Sequence, residues 1–157
     1  FFIGDIDVKN YRSFVKHMNK KNISDIRLTT RGGSPELSLS MCDIISKYDT
    51  KVNVSAEGCV FSAGTYILAS RTGKRTMSEN SVLMYHQVRE DFNKKSVTQK
   101  DLDELMKEFS FYENLVEAHF DKVCENTSNL YRSLKKGEDK YIDSTQAMKY
   151  GLIDEVV

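Results

Sequence analysis

Short apolar segments alternate along this chain with longer amphipathic ones, and this alternation constrains its fold more than any other feature. Segments with the apolar character of strands lie at residues 1–3, 26–28, 52–54, 82–85 and 152–157. Apolar residues recur at helical spacing over residues 8–18, 37–48 and 98–124. Strands that alternate with helices form largely parallel sheets covered by helices. The sequence therefore predicts an α/β fold.

Capping residues mark where several helices begin. Asp7 is placed to cap the first helix, and Ser34 followed by Pro35 is a strong start signal for the second. The strand at 52–54 is expected to end near Gly58, and a helix of small residues is expected over 62–70. A last short helix opens at 143–146 and ends before a glycine at 151.

The composition excludes several classes of protein. The 157 residues suit a single domain spanning 1–157, and 23 basic side chains balance 23 acidic ones, so no nucleic-acid partner is expected. No apolar run approaches the roughly 18 residues of a membrane span, so no membrane partner is expected either. The three widely spaced cysteines show no metal-ligand pattern and predict free thiols in a cytoplasmic protein.

Three features sit at or just beyond the carboxyl ends of predicted strands, the edge where α/β sheets bind ligands. They are the Gly32-Gly33-Ser34 turn, the Gly58…Ser62-Ala63-Gly64 turn, and His86. Glycines let backbone N–H groups approach a ligand, and a following helix N-terminus adds partial positive charge. These are the components of an oxyanion hole.

Each feature also has an ordinary structural interpretation. Gly-Gly is common turn chemistry, and Ser34 and Ser62 are expected as helix caps. His86 fits a buried, hydrogen-bonded histidine, and Asp139 lies in a charged run typical of a solvated loop. Cys59 is a rival nucleophile, but nothing around it in the sequence predicts an activated thiol. Only the set taken together favours catalysis.

Four stretches together resemble the ClpP family of serine peptidases in order and spacing, over nearly the whole chain. They are Gly32-Gly33-Ser34, Gly58-x-x-x-Ser62-Ala63-Gly64, Met84-Tyr85-His86-Gln87, and Asp139-x-Tyr141 with Ala147-x-x-Tyr150-Gly151-Leu152-Ile153-Asp154. The resemblance implies Ser62 as nucleophile, His86 as base and Asp139 as the third member of a triad.

The same resemblance implies how substrate is held. The backbone N–H groups of Gly33 and Ala63 would form the oxyanion hole, and Gly32, Ser34 and Gln87 would contact a polypeptide substrate. The implied fold is the repeated β-β-α superhelix shared with crotonases, with a long protruding helix in a handle region at about 88–125. The implied assembly is a homo-oligomeric ring or pair of stacked rings.

Departures from the family pattern bear on its partners. Arg31 and Val88 replace the prolines usual before Gly-Gly and after His-Gln, and the glycine-rich strand that usually follows is absent from residues 89–95. Asp25 and Arg27 occupy positions where aromatic residues help an ATP-dependent unfoldase to dock, which disfavours that partner. These departures resemble the phage and prophage branch of the family.

The sequence, with this resemblance, thus predicts a serine endopeptidase that acts on unfolded or flexible polypeptide without metal or cofactor. Two alternatives stay open: a non-catalytic ring subunit that keeps the fold as scaffold, and an acyl-CoA enzyme of the crotonase superfamily. A Ser-Lys peptidase is disfavoured because His86 lies where the base is expected.

Overall fold

The computed structural model describes residues 1–20, 22–48, 51–70, 72–89, 97–124, 130 and 138–157. The strands within these ranges are β1 Phe2–Ile3, β2 Asp25–Thr30, β3 Asn53–Phe61, β4 Arg75–Met77, β5 Val82–Tyr85, β6 Lys140–Ile142 and β7 Glu155–Val156. The helices are α1 Val8–Met18, α2 Pro35–Ser46, α3 Gly64–Ala69, α4 Gln99–Val123 and α5 Ser144–Lys149.

All seven described strands belong to one sheet. Its main path is β1-β2-β3-β4-β7, while β5 pairs with β3 and β6 pairs with β5. Every pairing is parallel except that between β5 and β6. The predicted α/β fold with a largely parallel sheet is confirmed.

The helix starts follow the predicted capping chemistry. The side chain of Asp7 accepts a hydrogen bond from the backbone N–H of Asn10 at 2.7 Å, and Ser34 accepts one from Leu37 at 3.1 Å. Thr98 caps α4 together with Asp101 in a capping box. Each cap satisfies a backbone N–H that the first turn of a helix leaves without a partner.

Two boundaries were predicted wrongly at the centre of the chain. Strand β3 continues past Gly58 to Phe61, because Gly58 adopts a φ of +74° and forms a bulge rather than a strand end. Helix α3 begins at Gly64, and its N-cap residue is Ala63. Ser62 therefore lies outside the helix and does not cap it. Strand β7 is also shorter than the predicted closing strand.

The core lies between the sheet and the helices that cover it. Tyr66 of α3, Tyr85 of β5 and Phe120 of α4 pack as a cluster of three rings with centroids 5.4–6.1 Å apart. At one edge of the sheet, the buried guanidinium of Arg75 binds the carboxylate of Asp154 at 2.6 Å. These contacts tie α4 and the last strand to the sheet.

Helix α4 is buried at one end only. Val116, Phe120 and Val123 are buried, whereas its first two-thirds carry exposed apolar side chains, Leu102, Met106, Phe111 and Leu115. Of the predicted handle, residues 90–96 and 125 lie outside the described residues, as do residues 135–137 of the charged run before Asp139. Among the described helices, none combines the length and apolar character needed to cross a bilayer.

Candidate active site

The bulge at Gly58 lets β3 change partners along its length. Its first half, at Val54 to Ala56, pairs with β4, and its second half, at Cys59 to Phe61, pairs with β5. Ser81 fills the gap in the ladder, because its hydroxyl accepts from the Gly58 N–H at 2.9 Å and donates to the Ala56 carbonyl at 3.2 Å. Because β3 changes from β4 to β5 as its partner, the ends of β3 and β5 lie side by side.

Ser62 directly follows β3 in a conformation that few residues adopt. Its φ is +53°, and its backbone is held on both sides, since its N–H donates to the Met84 carbonyl at 2.7 Å and its carbonyl accepts from the N–H and hydroxyl of Thr65. A non-glycine residue with positive φ carries backbone strain, which is concentrated at functional sites. In this conformation Ser62 belongs neither to β3 nor to α3.

The Gly32-Gly33 turn lies against Ser62. A Cβ on Gly32 would lie 2.7 Å from Cβ of Ser62, and the Gly32 N–H donates to the buried Thr30 hydroxyl at 3.0 Å. Gly33 is paired with Ile6 through the carbonyl of Gly32 and the N–H of Ser34. In this parallel pairing the N–H of Gly33 points away from Ile6, so it stays available on the side opposite that residue.

Ala63 supplies a second backbone donor. Its carbonyl accepts a hydrogen bond of 2.5 Å from the fully buried Ser38 hydroxyl of α2, which fixes the peptide in place. Within the described part of the chain, the N–H groups of Ala63 and Gly33 donate no hydrogen bond. The predicted nucleophile and both predicted oxyanion donors are therefore neighbours in the fold.

His86 and Asp139 come from adjacent antiparallel strands. Tyr85 of β5 is paired with Lys140 of β6, so the next position on each side puts His86 opposite Asp139. No hydrogen bond joins these two side chains, and none joins His86 to the hydroxyl of Ser62, in the ranges that the structure describes. The backbone places the three predicted triad residues near one another, but no hydrogen bond joins their side chains directly in the described ranges.

The guanidinium of Arg89 stands where the histidine–carboxylate bond is expected. Its Nη2 pairs with Asp139 Oδ1, and its Nε lies 3.0 Å from His86 Nδ1. His86 Nδ1 also lies 2.5 Å from the carbonyl of Gln87. One ring nitrogen of a neutral histidine cannot donate to the carbonyl and accept from the guanidinium at once, so these two contacts belong to different tautomers.

A cavity of about 420 Å³ opens beside Gly33. Its walls come from the start of α2, the segment after His86, and α4, and include Glu36, Arg89, Glu108 and Tyr112. The hydroxyl of Ser34 donates to the carboxylate of Glu36 and lowers its pKa, so this acid is ionised at neutral pH. The predicted substrate contacts Gly32 and Ser34 lie at or beside this cavity, and Gln87 is exposed at the end of β5.

Neither the Cys42 thiol nor a bound metal ion is favoured as a source of chemistry in the described part of the chain. Burial raises the pKa of the Cys42 thiol to about 12, which keeps it protonated and unreactive. Within the described residues, no group of three His, Cys, Asp or Glu side chains is arranged to hold a metal ion.

Sequence reasoning missed three side chains that shape this site: Thr30, Ser38 and Arg89. The hydroxyls of Thr30 and Ser38 hold the two backbone segments that carry the predicted oxyanion donors. The signal for Arg89 was present, because it stands three residues after His86 in a segment that departs from the family pattern. From the sequence alone, that departure indicates only a changed handle.

Comparison with protein families gives a match that spans almost the whole chain. A family model described as Clp protease matches residues 5–157. The matched range contains all the residues predicted for the site.

Proposed function

The chain belongs to the Clp protease family, a family of serine peptidases, and from this membership we propose that it is a serine endopeptidase that cleaves unfolded or flexible polypeptide. Ser62 is the proposed nucleophile, His86 the base, and Asp139 the acid that orients His86. The backbone N–H groups of Gly33 and Ala63 are the proposed oxyanion hole.

The observation that carries this proposal is the setting of Ser62. A strained serine at the end of a strand packs against a glycine turn, and the backbone donors of Gly33 and Ala63 lie close to it without partners among the described residues. A structural serine needs neither the strain nor the two available donors. A nucleophile needs both an exposed hydroxyl and a site for developing negative charge.

The proposed reaction passes through an acyl-enzyme. His86 takes the hydroxyl proton of Ser62 as the oxygen attacks a peptide carbonyl, and the negative oxygen that results is held by the two N–H groups. The same proton then goes to the leaving amine. Water, deprotonated by His86, hydrolyses the ester and restores Ser62.

Substrate is proposed to bind as an extended strand beside Gly33 and Ser34. Ile6 already occupies one edge of this segment, so the substrate would use the opposite edge, where the N–H of Gly33 points. Backbone hydrogen bonds of this kind accept many sequences. The cavity beside Gly33 would take a substrate side chain. Gln87 lies just beyond the end of β5, the strand that pairs with β3.

Members of this family typically form oligomeric rings, and we propose a homo-oligomeric ring for this chain. Exposed apolar side chains on α4, together with a basic first half and an acidic second half of the sequence, suit association between copies. An ATP-dependent unfoldase is a less favoured partner. Arg27 pairs with Glu57 at 3.5 Å, and Asp25 binds Asn53, so the surface at these positions is charged and polar.

The test is covalent labelling and peptide cleavage. Wild-type protein treated with a fluorophosphonate is expected to carry the label on Ser62, and Ser62→Ala is expected to lose the label and at least about 10³-fold of cleavage activity. Ser46→Ala, an exposed serine at the end of α2, is the matched control and should behave as wild type. Cleavage by Ser62→Ala at the rate of this control would contradict the mechanism.

One observation favours a second candidate, a non-catalytic ring subunit. The side chains of His86 and Asp139 are joined through Arg89 rather than to each other. An inert subunit would leave Ser62 unlabelled at every protein concentration, whereas a peptidase would react. The labelling experiment therefore separates the two functions.

A further inference from the structure

Arg89 contacts two of the three proposed triad residues at once. Its Nη2 is paired with Asp139 and its Nε lies 3.0 Å from Nδ1 of His86. We propose that Arg89 is a positioning residue that switches the base off, because its guanidinium occupies the place where Asp139 would bind His86 and must leave before Ser62 can be deprotonated. This proposal rests on the proposed peptidase function.

The tautomer of His86 explains why this contact would stop the reaction. A neutral histidine whose Nδ1 accepts from Arg89 carries its proton on Nε2, and a protonated Nε2 cannot take a proton from a serine. The active tautomer has the proton on Nδ1, where a carboxylate normally holds it. In addition, the positive guanidinium opposes the positive imidazolium that forms when the base acts.

His86 already has an alternative partner that favours the active tautomer. The carbonyl of Gln87 lies 2.5 Å from Nδ1 and can only accept a hydrogen bond. When Arg89 withdraws, Nδ1 would donate to this carbonyl or to Asp139, and Nε2 would be free to face the serine. The two contacts of Nδ1 therefore correspond to an inactive and an active state of the same ring.

A second position for the Arg89 side chain is the next requirement of the proposal. Its side chain is 56% exposed, and it lines the same cavity as Glu36 and Glu108. The backbone N–H of Val88 donates to Glu113 on α4, so a swing of the Arg89 side chain need not disturb the chain before it. Exchange of one acidic partner for another in this cavity would give the guanidinium the two positions that a switch requires.

The chain offers a closely matched control for removing this arginine. Arg27 and Glu57 form a second ion pair, whose side chains are 56% and 36% exposed, the same values as for Arg89 and Asp139. Arg27 does not contact His86. Arg27→Gln and Arg89→Gln therefore remove the same charge from equally exposed pairs, and only the second should act on the site.

The experiment measures fluorophosphonate labelling of Ser62 at several probe concentrations, which separates the maximal labelling rate from probe binding. Arg89→Gln is expected to raise the maximal rate about tenfold or more, because the base is released, whatever the loss of a cavity-lining side chain does to half-saturation. Arg89→Lys, which keeps the charge but loses the planar fork, should fall between wild type and Arg89→Gln. Arg27→Gln should match wild type.

A double variant tests whether the higher labelling rate depends on Asp139. Asp139→Asn should cost more in the Arg89→Gln background than in wild type, because only there can the carboxylate reach His86. Equal labelling rates for Arg89→Gln and Arg27→Gln would overturn the switch while leaving the peptidase intact. An unlabelled Ser62 in every variant would instead remove the peptidase function, and the switch with it.

Discussion

Gly32 and Ser62 touch across the candidate active site. A Cβ built on Gly32 would lie 2.7 Å from Cβ of Ser62, 3.2 Å from its hydroxyl oxygen and 2.9 Å from the carbonyl oxygen of Phe61. Gly32 also has a φ of +102°, which side chains rarely adopt. The serine can keep its strained position only because the neighbouring residue has no side chain.

Gly32→Ala is therefore expected to displace Ser62 and to reduce its labelling by a fluorophosphonate about 100-fold or more, since small displacements of a nucleophile have effects of this size. Gly58→Ala is the matched control: its φ of +74° carries a similar backbone cost of about 1–2 kcal/mol, but the added methyl would meet nothing closer than 3.9 Å. Equal labelling of the two variants would show that the contact with Ser62 does not matter.

The ion pair between Arg75 and Asp154 is expected to stabilise the fold. Arg75 is 2% exposed and gives Asp154 three hydrogen bonds, from its backbone N–H, Nε and Nη2. Asp154→Asn leaves a buried guanidinium without its counter-charge. We expect a loss of about 2–3 kcal/mol in the free energy of unfolding, at the low end for buried pairs because Asp154 is partly exposed. Urea denaturation measures it.

The adjacent surface pair provides the control for that measurement. Lys74 and Glu155 form an ion pair in which both side chains are about half exposed. Glu155→Gln should cost less than about 1 kcal/mol, since solvent screens such pairs. If Asp154→Asn were no more destabilising than Glu155→Gln, the buried pair would be contributing little to stability.

His119 should make stability depend on pH. It lies on α4 with Nε2 3.1 Å from the Tyr66 carbonyl, and burial lowers its pKa below the ordinary value of 6.5. The nearby carboxylate of Asp43 raises this pKa, and the ammonium of Lys122 lowers it. As the pH falls below 6.5, the unfolded chain binds a proton that the folded protein does not, and this favours unfolding. The contribution of neutral His119 to stability is therefore fully present above pH 6.5 and is lost as the pH falls towards the lower pKa of the folded protein.

The check is the free energy of unfolding at pH 7.5 and pH 5.5. The loss on acidification should be smaller in His119→Gln than in wild type, by at most about 1.4 kcal/mol per pH unit. His17→Gln, on the exposed side of α1, is the control measured beside it. A His119 variant with an unchanged pH dependence would contradict the argument.

Much of the fold could be predicted because local rules and tertiary structure agree. Asp7 and Ser34 cap helices as their types prefer, and the parallel sheet follows from alternating segments. The prediction went wrong at Gly58 and Ser62, where local rules gave a strand end and a helix cap. Only the pairing of β3 with two partners, a long-range property, makes Gly58 a bulge and leaves Ser62 strained between strand and helix.

The candidate site also combines features that the sequence indicates with one that depends on long-range contacts. The positions of Ser62, His86 and Asp139 follow from which strands lie side by side, and the sequence indicates them as a set only through its resemblance to a family. The link from Arg89 to both His86 and Asp139 depends on where one long side chain lies. A sequence pattern does not specify this, because an arginine near a strand end is usually a solvated surface residue.

The exposed apolar residues of α4 lead to a last prediction, about association. At about 100° per residue, Leu102 and Met106 lie on one side of the helix and Phe111 and Leu115 on the opposite side, roughly 180° away. A helix that packed only against its own chain would need one apolar side. Two such sides suit a helix inserted between other copies of the chain.

Met106→Gln and Phe111→Gln should therefore each shift the assembly towards smaller species, measured as molar mass by light scattering over a range of protein concentrations. Each replaced side chain is more than half exposed in the single chain, so the folded protomer should lose little stability. Asn114→Gln, which puts the same new side chain at an exposed polar position between these two sides of α4, should keep the wild-type mass. If the three variants had the same mass as wild type at every concentration, α4 would not be the surface through which copies associate.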